Sequence, residues 1–178
     1  MSKLTLGADL SLTHSGIVIL EGSKVIHHSV IKSKPPTDLT PTKELARIRK
    51  IVEDIEYIVI NYEIDLAVIE NFAFMARGTS LTQLAALSFF TRALLVDRSI
   101  PFLLCAPTSL KKFITGSGKG DKDMILMSIY KNYGFEAFDN NAADAYGLAA
   151  AGQAVLKNPI NKLTIPQVEV IKLLQKQI

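Results

Sequence analysis

Short apolar runs separated by turn residues open the chain and predict three β-strands. The runs cover residues 4–9, 16–21 and 24–31, and the sequence Glu21, Gly22, Ser23 between the last two is typical of a tight turn. We therefore expect an antiparallel meander. Residues 65–70 and 101–106 predict a fourth and a fifth strand, and the fourth is apolar almost throughout, as expected for a strand covered on both faces.

Apolar positions spaced by three and four residues predict helices between and after these strands. The first helix follows a cap at Thr40 or Thr42 and ends near residue 62. Its buried face is predicted to consist of Leu45, Ile48, Val52, Ile55 and Val59. Further helices are predicted over residues 81–98 and 107–114, from Asp121 or Lys122 to residue 132, and from Asn140 or Asn141 to residue 156. This order predicts an α/β sheet with mixed strand directions.

A last helix is predicted after the break at Asn158, Pro159 and Asn161, with Pro166 in its first turn. Its apolar stripe consists of Val170, Ile171, Leu174 and Ile178. A stripe of this width more often packs on its own domain than on a partner.

Composition is that of a compact globular protein. The chain has 178 residues, 48% of them hydrophobic, with 7 prolines and 10 glycines. No segment approaches the roughly 18 apolar residues of a membrane span, and the first residues lead into a strand rather than a signal peptide. One cysteine, Cys105, lies in an apolar run and is expected to be a core thiol. One cysteine and three histidines exclude a zinc cluster of the usual spacing, so we expect a cytosolic protein.

Positive charge is modest overall, at a net +3, but it is clustered. Four lysines flank a glycine-rich loop, and for them phosphate contact and plain surface charge are both open; they are Lys111, Lys112, Lys119 and Lys122. A second group lies on the first predicted helix, where interleaved acids favour a solvated helix face; it consists of Lys43, Arg47, Arg49 and Lys50.

Three acidic residues occupy positions that allow them to converge. Asp9 and Glu70 each end an apolar strand, and Asp144 lies near the start of a predicted helix. In open α/β sheets the ligand crevice lies outside the carboxyl ends of the strands. A shared metal site and three separately solvated carboxylates are both compatible with this pattern.

The residues around these acids resemble the RuvC-type Holliday junction resolvases of the RNase H-like superfamily, with a leaning toward their bacteriophage members. The matching segments are residues 7–11 leading to Gly16, residues 69–71 and 74–77, residues 107–111, residues 116–118 leading to Lys122, and residues 142–145. The resemblance implies an RNase H-like fold, with a mixed five-stranded sheet flanked by helices. We expect a nuclease domain over residues 1–157 and a C-terminal helical extension over residues 158–178.

The resemblance also implies that Asp9, Glu70 and Asp144 bind metal. The family usually has an acid or histidine three residues before the last aspartate, and this chain has Asn141 there. An amide oxygen can still bind a hard cation, and positions three apart share a helix face. Asp139 could supply the missing charge or could be a plain helix cap. The sequence leaves open whether Asn141 is natural.

Substrate contacts are implied in the same way. Lys122 and Lys111 are similar to the family's lysines in the catalytic cleft, and Lys112, Lys119 and Arg77 are further candidates for DNA contact. Phe74 is similar to an aromatic residue that the family inserts at the junction centre. One inserted residue shifts the match, so Phe72 is the other candidate. Both could instead be core residues.

The function expected from the resemblance is cleavage of Holliday junctions and related branched DNA by paired symmetric nicks. The cofactor would be Mg²⁺, with Mn²⁺ able to substitute, and the protein would be a homodimer in the cytoplasm of a bacterial or phage-infected cell. The helix over residues 81–98 is apolar over more than one face and is the candidate for the interface as well as for the core. Two alternatives are a branched-DNA binding protein with weak or no cleavage, and an RNase H-like nuclease with another nucleic-acid substrate.

Overall fold

The structure is a computed structural model that describes residues 3–38, 40–71, 79–119 and 121–178. The strands are β1 (Leu4–Asp9), β2 (His14–Glu21), β3 (Lys24–Lys32), β4 (Leu66–Glu70) and β5 (Phe102–Cys105). The helices are α1 (Pro41–Val59), α2 (Thr79–Asp97), α3 (Pro107–Thr115), α4 (Lys122–Tyr133), α5 (Asn140–Val155) and α6 (Ile165–Gln175). None of the helices in these ranges is both long enough and apolar enough to cross a bilayer.

The strands form one mixed sheet in the order β3-β2-β1-β4-β5. The first three strands are an antiparallel meander, and β4 and β5 add to it in parallel. The predicted mixed five-stranded sheet is therefore confirmed. Because β1 and β4 are parallel neighbours with Ala8 opposite Ile69, Asp9 and Glu70 leave the sheet side by side at the same edge.

Each face of the sheet has its own apolar core. The face covered by α3, α4, α5 and α6 contains Val18, Leu20, Leu66 and Val68 from the strands, and we call it the α5 face. The opposite face is covered by α1 and α2, and we call it the α1/α2 face. Its strand residues are Leu6, Ala8, Ile17, Ile19, Ala67 and Ile69. This alternation follows from the period of two along a strand.

Helix α5 lies directly on β1 and β2 because two glycines leave room for its backbone. A Cβ on Gly7 would lie 1.9 Å from the carbonyl oxygen of Ala145, and a Cβ on Gly16 would lie 2.1 Å from that of Asn141. The hydroxyl of Thr5 donates to the Ala149 carbonyl oxygen at 2.9 Å. The buried Gln153 amide donates to the carbonyl oxygen of Lys3 at 2.7 Å. These contacts fix α5, and with it Asp144, relative to the end of β1.

The first helix begins as predicted and differs from its prediction in two other respects. Thr40 caps it by accepting from the Lys43 amide, which selects one of the two predicted caps, but the helix ends at Val59 instead of residue 62. Leu45 is 44% exposed, so its assignment to the buried face was wrong. The reason is its position near the start of α1, where it lines an open groove against Phe90 of α2 instead of the sheet.

The last helix packs into the core of the α5 face through Val170, Ile171 and Leu174. The predicted fourth member of that stripe, Ile178, is 78% exposed, because α6 ends at Gln175 and the helical periodicity ends with it. The side-chain amide of Gln177 instead accepts from the Leu104 amide and donates to the Leu104 carbonyl oxygen, each at 2.9 Å. The division of the chain at residue 157 into domain and extension stays a prediction.

Candidate metal and nucleic-acid site

The carboxyls of Asp9 and Glu70 meet at the edge of the sheet. Burial, followed by the charge of Glu70, raises the pKa of Asp9 well above its usual range, and a hydrogen bond joins the two side chains. Burial also raises the pKa of Glu70, and the hydrogen bond from Asp9 opposes that rise. Both carboxyls therefore lie where burial disfavours their charged forms.

Asp144 on α5 completes the group. Burial, and after it the charge of Asp9, raises the pKa of Asp144 to about 7. The charge of Asp144 in turn raises the pKa of Glu70. The three predicted acids are therefore brought together by β1, β4 and α5, because each one is affected by the charge of another.

The donor set of this group suits a hard cation. All three side chains offer oxygen, and Oδ1 of Asp144 is buried without a hydrogen-bond partner. No three histidine, cysteine, aspartate or glutamate side chains in the described ranges meet the spacing of a ready-made metal cluster. The fit therefore rests on the like charges that converge and on the unpartnered oxygen.

The start of α5 contributes three more polar residues. Asp139 caps the helix by accepting from the Ala142 amide at 2.8 Å, and its charge also raises the pKa of Asp9. It therefore fills the capping role that the sequence left open while acting on the site. Asn141 is half-buried in the first turn, and the third polar residue is its neighbour Asn140.

Asn140 was missed by the sequence analysis. Its Oδ1 is buried and has no hydrogen-bond partner, as is Oδ1 of Asp144. Residues four apart lie on the same helix face. The four-residue spacing of Asn140 and Asp144 is therefore a signal in the sequence that predicts Asn140 beside the acid.

Two of the four predicted lysines lie near the acids. The charge of Lys122 lowers the pKa of both Asp9 and Asp144. The charge of Lys111 lowers the pKa of both Glu70 and Asp144.

The other two lysines are placed differently. Lys112 forms an ion pair with Glu169 of α6, and Lys119 is exposed in the loop before α4. The lysines therefore divide into a pair that acts on the acids and a pair that does not.

The substrate candidates Phe72, Phe74 and Arg77 lie outside the described residues. The described residues before this gap end at Asn71, whose amide donates to the Cys105 carbonyl oxygen at 2.8 Å.

Cys105 is opposite Glu70 and buried, so the prediction of a core thiol is confirmed. Burial, with the charge of Glu70 added to it, raises the pKa of this thiol to about 12, which keeps it protonated.

The basic residues of α1 were predicted to form a solvated helix face, and this is true of only some of them. Lys43 pairs with Asp38 and Lys50 with Asp54, both on the surface. Arg47 differs, because its Nε donates to Ser33 Oγ at 2.9 Å and its guanidinium also donates to the Leu12 carbonyl oxygen. For Arg47 the prediction of a solvated side chain was wrong, since it faces the turn that follows Asp9.

A mixed sheet of this order, with acids at the ends of two adjacent parallel strands and on the helix that crosses them, defines the RNase H-like class of fold. Comparison with known proteins makes the assignment narrower. The family model "Crossover junction endodeoxyribonuclease RuvC" matches residues 5–152. The chain belongs to this family.

Individual relatives agree with that assignment. The crossover junction endodeoxyribonuclease RuvC of Bifidobacterium adolescentis is 32% identical over 156 residues, which cover 82% of this chain and 77% of the relative. The Thermus thermophilus RuvC structure in complex with a Holliday junction substrate matches with a TM-score of 0.72 and 18% identity, over 88% of this chain and 97% of that one. The yeast mitochondrial Holliday junction resolvase Ydc2 matches with a TM-score of 0.55 and 13% identity, over 99% and 83%. The two structures establish similarity of fold.

Proposed function

We propose that this protein is a metal-dependent endonuclease that cuts four-way DNA junctions and related branched DNA by paired nicks. The observation that carries the proposal is the convergence of Asp9, Glu70 and Asp144, each of which has its pKa raised by burial and by the charge of another. Membership of the crossover junction endodeoxyribonuclease family supports the choice of substrate. We further propose that it works in the cytoplasm of a bacterial or phage-infected cell.

We propose Mg²⁺ as the metal, with Mn²⁺ able to substitute, because carboxylate and amide oxygens select these ions over zinc. Asp9 is hydrogen-bonded to Glu70 and its charge raises the pKa of Asp144, and it is our choice for the residue shared by two ions. Glu70 and Asp144 would hold one ion each. The amide oxygens of Asn140 and Asn141 and the charge of Asp139 would complete the donor set at the start of α5.

Hydrolysis of a phosphodiester needs an activated water on one side of the phosphorus and charge stabilisation at the leaving oxygen, and divalent ions supply both when bound. The protein must keep its carboxyls ionised for this purpose. Lys111 and Lys122 favour ionisation, since their charges lower the pKa values of the acids. The same ammonium groups can hold the non-bridging oxygens of the scissile phosphate, where charge accumulates in the transition state.

We propose a homodimer, because two symmetric nicks need two sites related by a two-fold axis. Helix α2 offers the surface: Phe89, Phe90 and Val96 are 61%, 43% and 64% exposed. Solvent-exposed aromatic residues clustered on one helix are typical of association surfaces. Sedimentation should give the mass of two chains for the native protein and of one chain for Phe89→Ser. The control is Tyr57→Ser, which removes an exposed aromatic side chain from α1.

Cleavage of a labelled four-way junction in Mg²⁺ tests the proposal. Asp9→Asn and Glu70→Gln should each reduce the cleavage rate at least ~1,000-fold, or roughly 4 kcal/mol, while junction affinity persists. Asp54→Asn is the matched control, since Asp54 is an exposed acid paired with Lys50. Wild-type rates in either site variant would contradict the assignment of the acids.

One alternative function is supported by a separate observation. The neutral Asn141, where the family usually has an acid or histidine, would suit a branched-DNA binding protein with weak or no cleavage. Failure of both Mg²⁺ and Mn²⁺ to support nicking of a bound junction would select that function. A panel of linear duplexes, forks and RNA–DNA hybrids would separate junction cleavage from an RNase H-like nuclease with another substrate.

A further inference from the structure

Arg47 joins three elements at a point just beyond Asp9. The turn between β1 and β2 comprises residues 10–13, and we call it the β1–β2 turn. The guanidinium of Arg47 donates to the Leu12 carbonyl oxygen in this turn and to Ser33 Oγ, which follows β3. The Ser33 amide donates to the Thr13 carbonyl oxygen at 2.9 Å. Arg47 therefore ties the turn to α1 and to the end of β3.

The turn also has bonds of its own, which shape it without anchoring it. The Ser15 hydroxyl accepts from the Ser11 amide at 3.0 Å and donates to the Ser11 carbonyl oxygen at 2.7 Å. Both partners belong to the same hairpin. Of the hydrogen bonds that the structure describes for this turn, those that reach outside the hairpin lead to Arg47 and Ser33.

We propose that Arg47 is a positioning residue for Asp9: by holding the β1–β2 turn against α1, it fixes the direction in which the end of β1 presents its carboxylate. The proposal rests on the proposed cleavage function, in which Asp9 is shared between two metal ions. A carboxylate in that role has little tolerance, since a displacement of about 1 Å at a reacting group can cost ~100-fold in rate.

The chemistry of the side chain suits this role. Guanidinium is planar and presents its donors in a fixed fork, so that Nε and a terminal nitrogen can serve two acceptors at once. A lysine ammonium at the same place can reach one of the two acceptors but cannot brace both. Arg47 is half-buried with these donors directed at protein oxygens, which argues against a contact with DNA phosphate.

Three variants test the proposal in the full-length protein. Arg47→Met removes both bonds, Arg47→Lys keeps the charge and one bond, and Ser33→Ala removes one acceptor. Lys50→Met is the control, because Lys50 lies on the same helix and pairs with Asp54 on the surface. Single-turnover cleavage at saturating enzyme, junction affinity and amide hydrogen exchange over residues 10–13 are measured for each.

We expect Arg47→Met to slow cleavage ~10- to 100-fold with junction affinity unchanged within about 2-fold, and to speed exchange in the turn. Arg47→Lys should recover part of the rate, Ser33→Ala should lose a few-fold, and Lys50→Met should match the wild type. Equal losses of rate and affinity in Arg47→Met would overturn the proposal in favour of a phosphate contact. An unchanged rate in the folded variant would also overturn it.

Two further outcomes are informative. If Arg47→Met does not fold, unchanged rates in both Arg47→Lys and Ser33→Ala overturn the proposal. If the wild type cuts no junction, the proposed function fails, and hydrogen exchange still tests the brace by itself. Exchange over residues 10–13 that is the same in all variants would then overturn it.

Discussion

The two faces of the sheet are packed in different ways, and the difference explains where the site lies. On the α5 face, glycines in β1 and β2 meet a helix that is buried at each residue from Ala142 to Val155 except Asp144. On the α1/α2 face, isoleucines and leucines fill the space between sheet and helices. Small residues allow a helix backbone to touch the strands, whereas large ones keep it at the ordinary distance.

This contrast shows how the acid on α5 reaches acids that belong to the strands. Asp144 needs no long side chain to approach Asp9, because the helix itself lies against β1 at Gly7. On the opposite face the contact is made by a side chain instead, because the long side chain of Arg47 on α1 reaches the β1–β2 turn. The α5 face therefore brings Asp144 to the other acids, and the α1/α2 face carries the arginine that holds the turn after Asp9.

The largest expected effect comes from closing the space on the α5 face. In Gly7→Ala the new Cβ would overlap the backbone of Ala145 and Ala149, which can move only if the helix moves. We expect a loss of at least about 4 kcal/mol, above the usual 1–3 for overpacking, and a Tm lower by ~8 °C or more. Thermal unfolding measures it. Gly118→Ala is the control, since the nearest atom to its Cβ would be 3.6 Å away; equal Tm values for both variants would contradict the close packing.

The second effect is the pH dependence of stability without added metal. A pKa of Asp144 raised from 3.8 to about 7 corresponds to roughly 4 kcal/mol at most. The fold gains fully from the protonated carboxyl below pH 3.8 and loses that gain as the pH rises through about 7. In EDTA the wild type should therefore be less stable at pH 8 than at pH 5.

The variant Asp144→Asn isolates this contribution. It should exceed the wild type by about 2 kcal/mol at pH 8 and match it near pH 4, as measured by urea unfolding. Asp54→Asn on the exposed side of α1 should follow the wild-type curve. If Asp144→Asn keeps the full pH dependence, burial of Asp144 is not its source.

The third prediction separates the lysines that act on the acids from those that do not. Lys122→Ala and Lys111→Ala should each slow cleavage ~10-fold while affinity changes less, since a charge near the developing transition state is lost. Lys112→Ala should leave the rate nearly unchanged, because Lys112 pairs with Glu169. Single-turnover rates and junction affinities, measured at several salt concentrations, show whether each lysine acts on the cleavage step or on binding. Equal losses of rate and affinity, with a shallower salt dependence, would make both residues ordinary phosphate contacts.

The smallest effect concerns the charge at the start of α5. Asn141→Asp should lower the Mg²⁺ concentration for half-maximal cleavage a few-fold if Asn141 is a weak ligand, because an anionic oxygen binds a hard cation more tightly. Asp139→Asn keeps a good helix cap and removes only charge, so it should raise that concentration if Asp139 supplies the charge. A Mg²⁺ titration of both variants shows which of the two residues contributes to metal binding. An unchanged requirement in both would rule out a further ligand in this turn.

The sheet and most helix positions could be predicted because they follow from local periodicity. The strand ends at Asp9 and Glu70 were predicted correctly for that reason, and their parallel pairing then brought them together. The roles of the site residues stay predictions. The inward turn of Arg47, the exposure of Leu45 and the buried oxygen of Asn140 could not be predicted, since each depends on which element packs opposite. The end of α6 before Ile178 likewise depends on where Gln177 is held.

The pairing of Gln177 with Leu104 has a consequence for how copies of this protein can associate. The side-chain amide of Gln177 bonds both the backbone N–H and the carbonyl oxygen of Leu104 in the edge strand β5. A residue of an added sixth strand would use the same two groups. At the opposite edge, exposed lysines stand at both ends of β3, Lys24 and Lys32, and charges of this kind discourage strand addition. Growth by joining sheets, which can continue without limit, is thus hindered on both sides. The proposed dimer would therefore use the helices, where a two-fold contact closes after two copies.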